Sequence, residues 1–248
     1  MKILFIGNSI IRGSQGVNFL PFLAFKHPTW EIENAGINGH TLTCIAERVK
    51  QKLAGPTAYE AIVLEAGYND ILLPYFKNKG FLFRQALKHL LKKQYNPLEC
   101  PEAFASKYRE TIRYIQARSP AKIVLTTLGC INEDLSFALN QQRRIYNQVI
   151  RKIAHDFNCH LADVAPKFDK ILTKQENRNY LLQNFFNSAA LDLLSCKYLH
   201  RADKISRARH LLLTIDGVHL NSRGAEIFMK EIERQLLPKR QPVFKPGT

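Results

Sequence analysis

The chain has 248 residues, of which 46% are hydrophobic and 23% are charged. These are ordinary values for a folded globular protein, and they exclude a disordered or collagen-like chain. The 36 Lys and Arg residues outnumber the 21 Asp and Glu residues, so the net charge is +15. That excess favours an anionic partner such as a lipid headgroup, an acidic polysaccharide or a nucleic acid, although a merely basic surface explains it equally well.

The cysteines and the apolar runs bear on where the protein works. Its five cysteines form an odd set without a C-x-x-C pair or zinc-finger spacing, so we expect free thiols and neither a disulfide framework nor a cysteine metal site. The apolar run at residues 3–6 is too short for a signal-peptide core, and no run reaches the ~20 apolar residues of a membrane span. These features predict a cytoplasmic protein.

Short apolar runs rich in β-forming residues alternate with longer segments of helical period. The first run is continuous rather than alternating, which is typical of a strand buried on both faces of a parallel sheet. The predicted strands cover residues 3–6, 30–33, 61–64, 122–126 and 160–163.

Four amphipathic helices are predicted between and after these strands, because apolar residues recur there at helical spacing. Their apolar positions are Leu42, Ile45, Ala46, Val49 and Leu53; Phe104, Tyr108, Ile112 and Ile115; Leu135, Leu139, Ile145, Val149 and Ile153; and Ala225, Phe228, Ile232 and Leu236. Strands that alternate with helices form parallel βαβ units. We therefore predict a flavodoxin-like three-layer α/β/α sandwich with a five-stranded parallel sheet.

Two segments are longer than such crossovers need, at about residues 71–100 and 166–213. Both are rich in Leu, Phe, Lys and Arg, have a helical character and return the chain to the same sheet. They are interpreted as two helical insertions in a single domain that covers residues 1–248.

Polar, glycine-containing blocks follow several predicted strands, where ligands of parallel sheets collect. Three of them are Gly7-Asn8-Ser9, the segment 34–41 with Gly39, and Gly67-Tyr68-Asn69-Asp70, and a fourth block, Asp216-Gly217-Val218-His219, stands before the last helix. Each block alone is a common type of turn. Together they supply a serine nucleophile, a histidine base with an orienting aspartate, and hydrogen-bond donors for an oxyanion, which are the parts of an acyl-transfer site.

These four blocks resemble, in type and order, the motifs of the SGNH (GDSL-type) hydrolase family. The resemblance implies that Ser9 is the nucleophile, that Asp216 and His219 are the acid and base, and that Gly39 and Asn69 donate to the oxyanion together with the Ser9 backbone. One position departs from the pattern, because Asn8 stands where the family has Asp. No glycine stands at Ile11, so the serine is not in a G-x-S-x-G elbow.

Other residues are weaker candidates for a functional role. Asp70 is expected to be a structural acceptor, and Glu65 a paired or surface carboxylate rather than a pocket residue. His155 and His160 lack a nearby carboxylate at ligand spacing, so no metal site is predicted. His40 is a candidate substrate contact, with a solvated histidine as the alternative.

The segment 75–95 interleaves apolar and basic residues. Its simpler interpretation is a packed helix with a basic outer face. Its sharper one is a lid over the site, in which Phe81 and Phe83 contact substrate, or a contact with a membrane surface.

The sequence thus predicts a serine hydrolase that cleaves a small-molecule, lipid or sugar carboxylic ester without a cofactor. The alternatives are an acyltransferase that uses the same residues, or an idle binding module that contacts anionic surfaces. Specific nucleic-acid binding is not predicted, because no known motif accompanies the charge. The sequence does not indicate the oligomeric state.

Overall fold

The computed structural model describes residues 1–56, 58–174, 179–182 and 192–238. Within them, five strands form one parallel sheet in the order β2-β1-β3-β4-β5. The strands are β1 (Lys2–Gly7), β2 (Glu31–Gly36), β3 (Ala61–Leu64), β4 (Lys122–Thr126) and β5 (His160–Ala162).

The helices that connect and cover these strands are mostly amphipathic. In chain order they are α1 (Ser9–Arg12), α2 (Leu20–Lys26), α3 (Leu42–Leu53), α4 (Tyr68–Tyr75), α5 (Phe81–Lys92), α6 (Pro101–Arg118), α7 (Ala138–Asp156), α8 (Ala165–Leu172), α9 (Asp192–Leu199), α10 (Ala202–Ala208) and α11 (Ser222–Leu236). A 3₁₀ turn, Phe76–Asn78, joins α4 to the loop before α5.

The sheet lies between two helical layers. Helix α6 packs against both α3 and α7 in one layer, whereas α11 packs against α2 in the other. The side chains of β3 and of residues 3–6 in β1 are completely buried, which explains why these strands are continuously apolar in sequence. This arrangement is the predicted three-layer α/β/α sandwich with a five-stranded parallel sheet.

Most of the predicted elements are confirmed, and the errors lie at their ends and in one helix face. Trp30 precedes β2, which instead continues through Gly36. Leu135 precedes α7, and Ile145 is 45% exposed, so the apolar face predicted for this helix was wrong at both positions. Arg143 occupies a buried position of that helix, and the pattern counted it as polar.

Both predicted insertions contain helices. Residues 71–100 hold most of α4, the 3₁₀ turn and α5, while residues 166–213 hold most of α8 together with α9 and α10. Of the second insertion, residues 175–178 and 183–191 lie outside the described residues. The assignment of all these elements to a single domain stays a prediction. None of the helices in the described ranges is both long and apolar enough to cross a membrane.

The strand order reverses direction at β1, which lies between β2 and β3. From β1 the chain moves to β2 on one side and then returns to β3 on the other side of β1. Ligands of doubly wound sheets bind at such a switch point, outside the carboxyl ends of the strands. Ser9 follows β1 and Asn69 follows β3, so both lie at this point.

Candidate active site

Ser9 is held by a tight turn between β1 and the short helix α1. The Asn8 side-chain oxygen accepts a hydrogen bond from the Ile10 N–H (3.0 Å) and so caps this helix. The turn passes very close to β3, because a Cβ atom at Gly7 would lie 2.8 Å from a Glu65 carboxylate oxygen. Only glycine fits there, so steric exclusion explains why glycine is the first residue of this motif.

Asn8 is also paired with the fully buried Glu65. Its side-chain amide donates to Glu65 Oε1 (2.9 Å), and its backbone N–H donates to Oε2 (3.1 Å). Burial raises the pKa of Glu65 to about 7, against the lowering effect of these two hydrogen bonds. The asparagine that departs from the family pattern thus supplies a donor to a buried carboxyl group. Glu65 is the paired carboxylate that the sequence suggested.

The structure brings Ser9, His219 and Asp216 together in one hydrogen-bonded series. His219 Nε2 lies 2.9 Å from Ser9 Oγ, and His219 Nδ1 lies 2.7 Å from Asp216 Oδ2. The second oxygen of Asp216 accepts the backbone N–H groups of Val218 (3.0 Å) and His219 (2.9 Å). The spacing of three residues therefore lets one carboxylate hold both the loop and the imidazole ring.

This pairing fixes the charge states of the two residues. Burial alone would raise the pKa of Asp216, but the charge of His219 and the hydrogen bonds to the carboxylate outweigh it and hold the pKa below its ordinary value. Burial would lower the pKa of His219, whereas the charge of Asp216 and its hydrogen bond raise it above the ordinary value. Asp216 is therefore ionised at neutral pH, and it favours a proton on His219.

Another buried carboxylate, that of Glu133, binds the backbone just before the loop that contains Asp216 and His219. It accepts the backbone N–H groups of Leu212 (2.7 Å), Leu213 (2.8 Å) and Thr214 (2.8 Å), together with the Thr214 hydroxyl (2.7 Å). Since Glu133 follows β4, it fixes the Asp216 loop to the carboxyl edge of the sheet. Sequence reasoning missed this residue, because it stands outside the four motifs.

Asn69 is the second residue of α4, and its side-chain amide donates to the His40 carbonyl oxygen (3.0 Å). That hydrogen bond uses one of the two N–H groups of the amide. Gly39 lies in the same turn as His40 with a φ of +79°, a left-handed conformation that disfavours a side chain. The glycine turn therefore positions the asparagine as well as its own backbone.

The His40 side chain is half-buried and bonded to Arg48 rather than solvated. Arg48 donates one N–H to His40 Nδ1 and another to the Gly7 carbonyl oxygen (2.6 Å). Burial, and then the Arg48 charge, lower the pKa of His40 to about 4, so this ring is neutral at physiological pH. Contact of His40 with substrate stays a prediction.

Arg48 is the second residue that sequence reasoning missed. Its side chain is only 7% exposed, although arginine is rarely buried. A signal was present, because Arg48 stands three residues after Ile45 and thus on the buried face of α3. The guanidinium ties the turns after β1 and β2 together.

A cavity of about 150 Å³ opens beside the serine. Ser9, His219, Gly39 and Asn69 all line it, so the structure brings these four predicted residues to one space. Phe83 is buried and also lines the cavity, whereas Phe81 is 64% exposed and is not among the lining side chains. Substrate contact by either ring stays a prediction.

The remaining candidates have structural surroundings. Asp70 accepts the backbone N–H groups of Leu42 and Leu98, both at 3.0 Å, which is the acceptor role that the sequence suggested. His155 is exposed near the end of α7, and His160 begins β5. The described ranges contain no group of three His, Cys, Asp or Glu side chains placed to hold a metal ion.

A doubly wound parallel sheet with serine, histidine and aspartate in hydrogen-bonded series at its carboxyl edge has the arrangement of a serine hydrolase. The model of the GDSL-like lipase/acylhydrolase family matches residues 5–227. The chain therefore belongs to this family and is a carboxylic ester hydrolase. The family predicted from the four motifs is confirmed. No curated protein sequence matches the chain.

Solved structures with low sequence identity share this fold. The acetyl xylan esterase AlAXEase is 20% identical, with a TM-score of 0.63 over 96% of this chain and 100% of that chain. The acetylxylan esterase Axe2 from Geobacillus stearothermophilus is 18% identical, with a TM-score of 0.63 over 95% and 93%. A lipolytic protein of the G-D-S-L family from Veillonella parvula is 13% identical, with a TM-score of 0.62 over 94% and 97%.

Proposed function

We propose that the protein hydrolyses carboxylic esters with Ser9 as nucleophile, His219 as general base and acid, and Asp216 as the residue that orients the imidazole. The observation that carries this proposal is the pair of hydrogen bonds at His219, 2.9 Å to Ser9 Oγ and 2.7 Å to Asp216. Both distances lie within hydrogen-bond reach, as a nucleophile, its base and an orienting acid require.

The reaction has two halves. In the first, Ser9 Oγ bonds to the ester carbonyl carbon while its proton passes to His219 Nε2, and the carbonyl electron pair moves onto oxygen. Collapse of this intermediate breaks the bond to the alcohol, which leaves with the proton from His219. In the second half, water repeats the attack on the acyl-serine, gives its proton to His219 and releases the carboxylic acid. Ser9 then recovers its proton.

The negative oxygen needs donors in both halves. We assign this role to the backbone N–H groups of Ser9 and Gly39 and to the second N–H of the Asn69 amide. Support comes from the cavity, which all three residues line, and from the hydrogen bond to His40 that fixes the amide. Donors held in place before the reaction stabilise the charge without reorganisation.

The same proposal covers the substrate class, the cofactor, the location and the partner of the protein. Two of the structural neighbours are named as acetyl xylan esterases, which makes sugar esters one candidate class alongside other small-molecule and lipid esters. The mechanism uses no cofactor. A cytoplasmic location, and contact of the basic surface with an anionic partner, stay predictions.

The test replaces Ser9 by Ala and compares ester turnover with the wild type and with a control variant, Ser136→Ala. The hydroxyl of Ser136 is exposed and donates to the Asp134 side chain, two residues earlier. We expect kcat to fall by roughly 10⁴-fold or more for Ser9→Ala only, because the variant loses the nucleophile but keeps the fold. A fluorophosphonate should label the wild type and the control but not Ser9→Ala. Wild-type-like turnover by Ser9→Ala would contradict the proposal.

The same protein preparation separates the alternatives. If an added alcohol captures the acyl group in place of water, product analysis identifies an acyltransferase. A folded wild type that neither reacts with the fluorophosphonate nor cleaves any ester would be the idle binding module.

A further inference from the structure

The cavity beside Ser9 is lined mainly by apolar side chains. Among the residues that the structure describes, and apart from the four residues of the site, the polar side chains of the lining are Gln15 and Tyr68, whose hydroxyl accepts the backbone N–H of Gly129 (2.6 Å). The apolar lining includes Leu72, Leu73, Phe76, Phe83, Leu90 and Leu182.

The first insertion builds most of this apolar wall. Phe83 and Leu90 are seven residues apart on α5, which places them on the same face two turns apart. The Phe83 ring packs on Phe76 with centroids 5.0 Å apart, and it is only 6% exposed. These rings therefore form a fixed wall rather than a solvated helix surface.

Lys79 joins a second segment of the chain to this wall. Its ammonium group donates to the Leu181 carbonyl oxygen and lies 5.2 Å from the centroid of the Phe83 ring. It thereby holds residues 179–182 beside α5, and Leu182 from this segment lines the cavity.

The volume of the cavity limits the size of the group that can bind in it. An apolar cavity of about 150 Å³ holds a benzene molecule, which has about six carbon atoms. An acetyl group would leave most of the 150 Å³ beside Ser9 unfilled, whereas a chain of about six carbons would contact the leucines and both rings.

We infer that this cavity is an acyl site for apolar chains of about six carbons; this inference rests on the proposed function. The acyl group, rather than the alcohol, is assigned to the cavity because the proposed oxyanion donors Gly39 and Asn69 line it together with Ser9, and these donors bind the oxygen of the acyl carbonyl. A separate groove of about 770 Å³ begins next to the cavity, because Ser14 and Gly16, the neighbours of Gln15, line that groove.

The first experiment measures kcat/KM for p-nitrophenyl esters from acetate to decanoate, with the alcohol constant. Burial of one methylene is worth about 0.8 kcal/mol, which corresponds to a gain of roughly fourfold per added carbon. We expect kcat/KM to rise from acetate to a maximum at about hexanoate and then to fall. A matched series of alkyl acetates, in which only the alcohol grows, should show no such maximum.

Variants of α5 test whether the wall sets this maximum. Leu90→Trp should lower the ratio of hexanoate to acetate turnover by roughly tenfold, since filling part of the cavity excludes about two methylenes at roughly fourfold each, and Leu90→Ala should move the maximum to a longer chain. The control Leu82→Trp places the same ring on the same helix at a side chain that is 54% exposed, and it should leave the profile unchanged.

Two failures can be told apart. An acetate maximum that Leu90→Trp does not change, or a maximum that appears in the alkyl acetate series instead, would overturn the acyl site but leave the esterase intact. Absence of activity on every ester, with no labelling of Ser9, would overturn the proposed function and the acyl site with it.

Discussion

At the level of single residues, Asp216 governs when His219 can accept a proton. The carboxylate favours the charged imidazole, and it outweighs burial, so the pKa of His219 lies above the ordinary value of 6.5. Only the neutral ring can take the proton from Ser9. Activity should therefore be low in acid and reach half of its maximum above pH 6.5, higher than an unperturbed histidine would give.

Asp216→Asn tests this cause directly. Loss of the negative charge should lower the pKa of His219, and kcat should fall by roughly 10⁴-fold because the amide does not hold the required tautomer. NMR titration of the His219 ring follows the pKa without relying on activity, and Ser9→Ala serves as the control in which Asp216 still raises it. An equal midpoint in Asp216→Asn and wild type would show that the carboxylate does not set the pKa.

Asn8 and Glu65 give a second prediction at the same scale. In Asn8→Asp, a carboxylate oxygen replaces the amide that donates to Glu65 at 2.9 Å, so two buried carboxyl groups must share a proton. Their folded pKa values then lie above the unfolded ones. The folded state is stable below the unfolded pKa, and stability is lost as the pH rises through the folded pKa.

The measurement is the melting temperature of wild type and Asn8→Asp at about pH 5 and about pH 8. The difference should be small in acid and larger at the higher pH. The double variant Asn8→Asp with Glu65→Gln should remove the pH dependence, because the new amide can donate to the new carboxylate. A difference that is independent of pH would mean that no proton is shared.

At the level of elements, the strand-to-helix loops depend on one carboxylate for their mutual position. Glu133→Ala leaves three backbone N–H groups between residues 212 and 214 without their acceptor, those of Leu213 and Thr214 buried and that of Leu212 part-buried. Each such loss costs about 1–3 kcal/mol, so we expect about 3–5 kcal/mol of destabilisation in urea unfolding. The control Glu110→Ala removes an exposed carboxylate paired with Lys107 and should change stability by less than about 1 kcal/mol. Equal effects of both variants would contradict the role of Glu133.

Buried arginines in two helices show what apolar periodicity alone does not register. Arg48 in α3 and Arg143 in α7 are both buried, and each donates to a backbone carbonyl oxygen, of Gly7 and Gly129 respectively. A carbonyl group leaves no mark in the sequence, because every residue has one. A pattern of apolar residues therefore leaves both arginines out, although the position of Arg48 falls on the face that the pattern predicts to be buried.

At the level of the whole molecule, the sheet could be predicted because its buried strands are short, apolar and each followed by glycine or polar residues. The four site residues Ser9, Asn69, Asp216 and His219 could be found because the motifs of the first two stand at those strand ends and the motif of the other two stands directly before α11. The apolar wall could not be placed, since the position of Phe83 relative to Ser9 depends on how α5 folds back over the sheet edge. Its residues alone do not distinguish a cavity wall from an ordinary packed helix.

The proposed nucleophile and its base are separated by 210 positions in the chain. During synthesis, Ser9 leaves the ribosome long before His219, so it has no base until the 210 positions between them have been translated. A truncated product that stops before residue 216 can therefore contain all five strands and still be inert. After dilution from denaturant, the recovery of ester cleavage records when the first strand and the loop before the last helix come together, an event that helix-sensitive spectroscopy does not resolve.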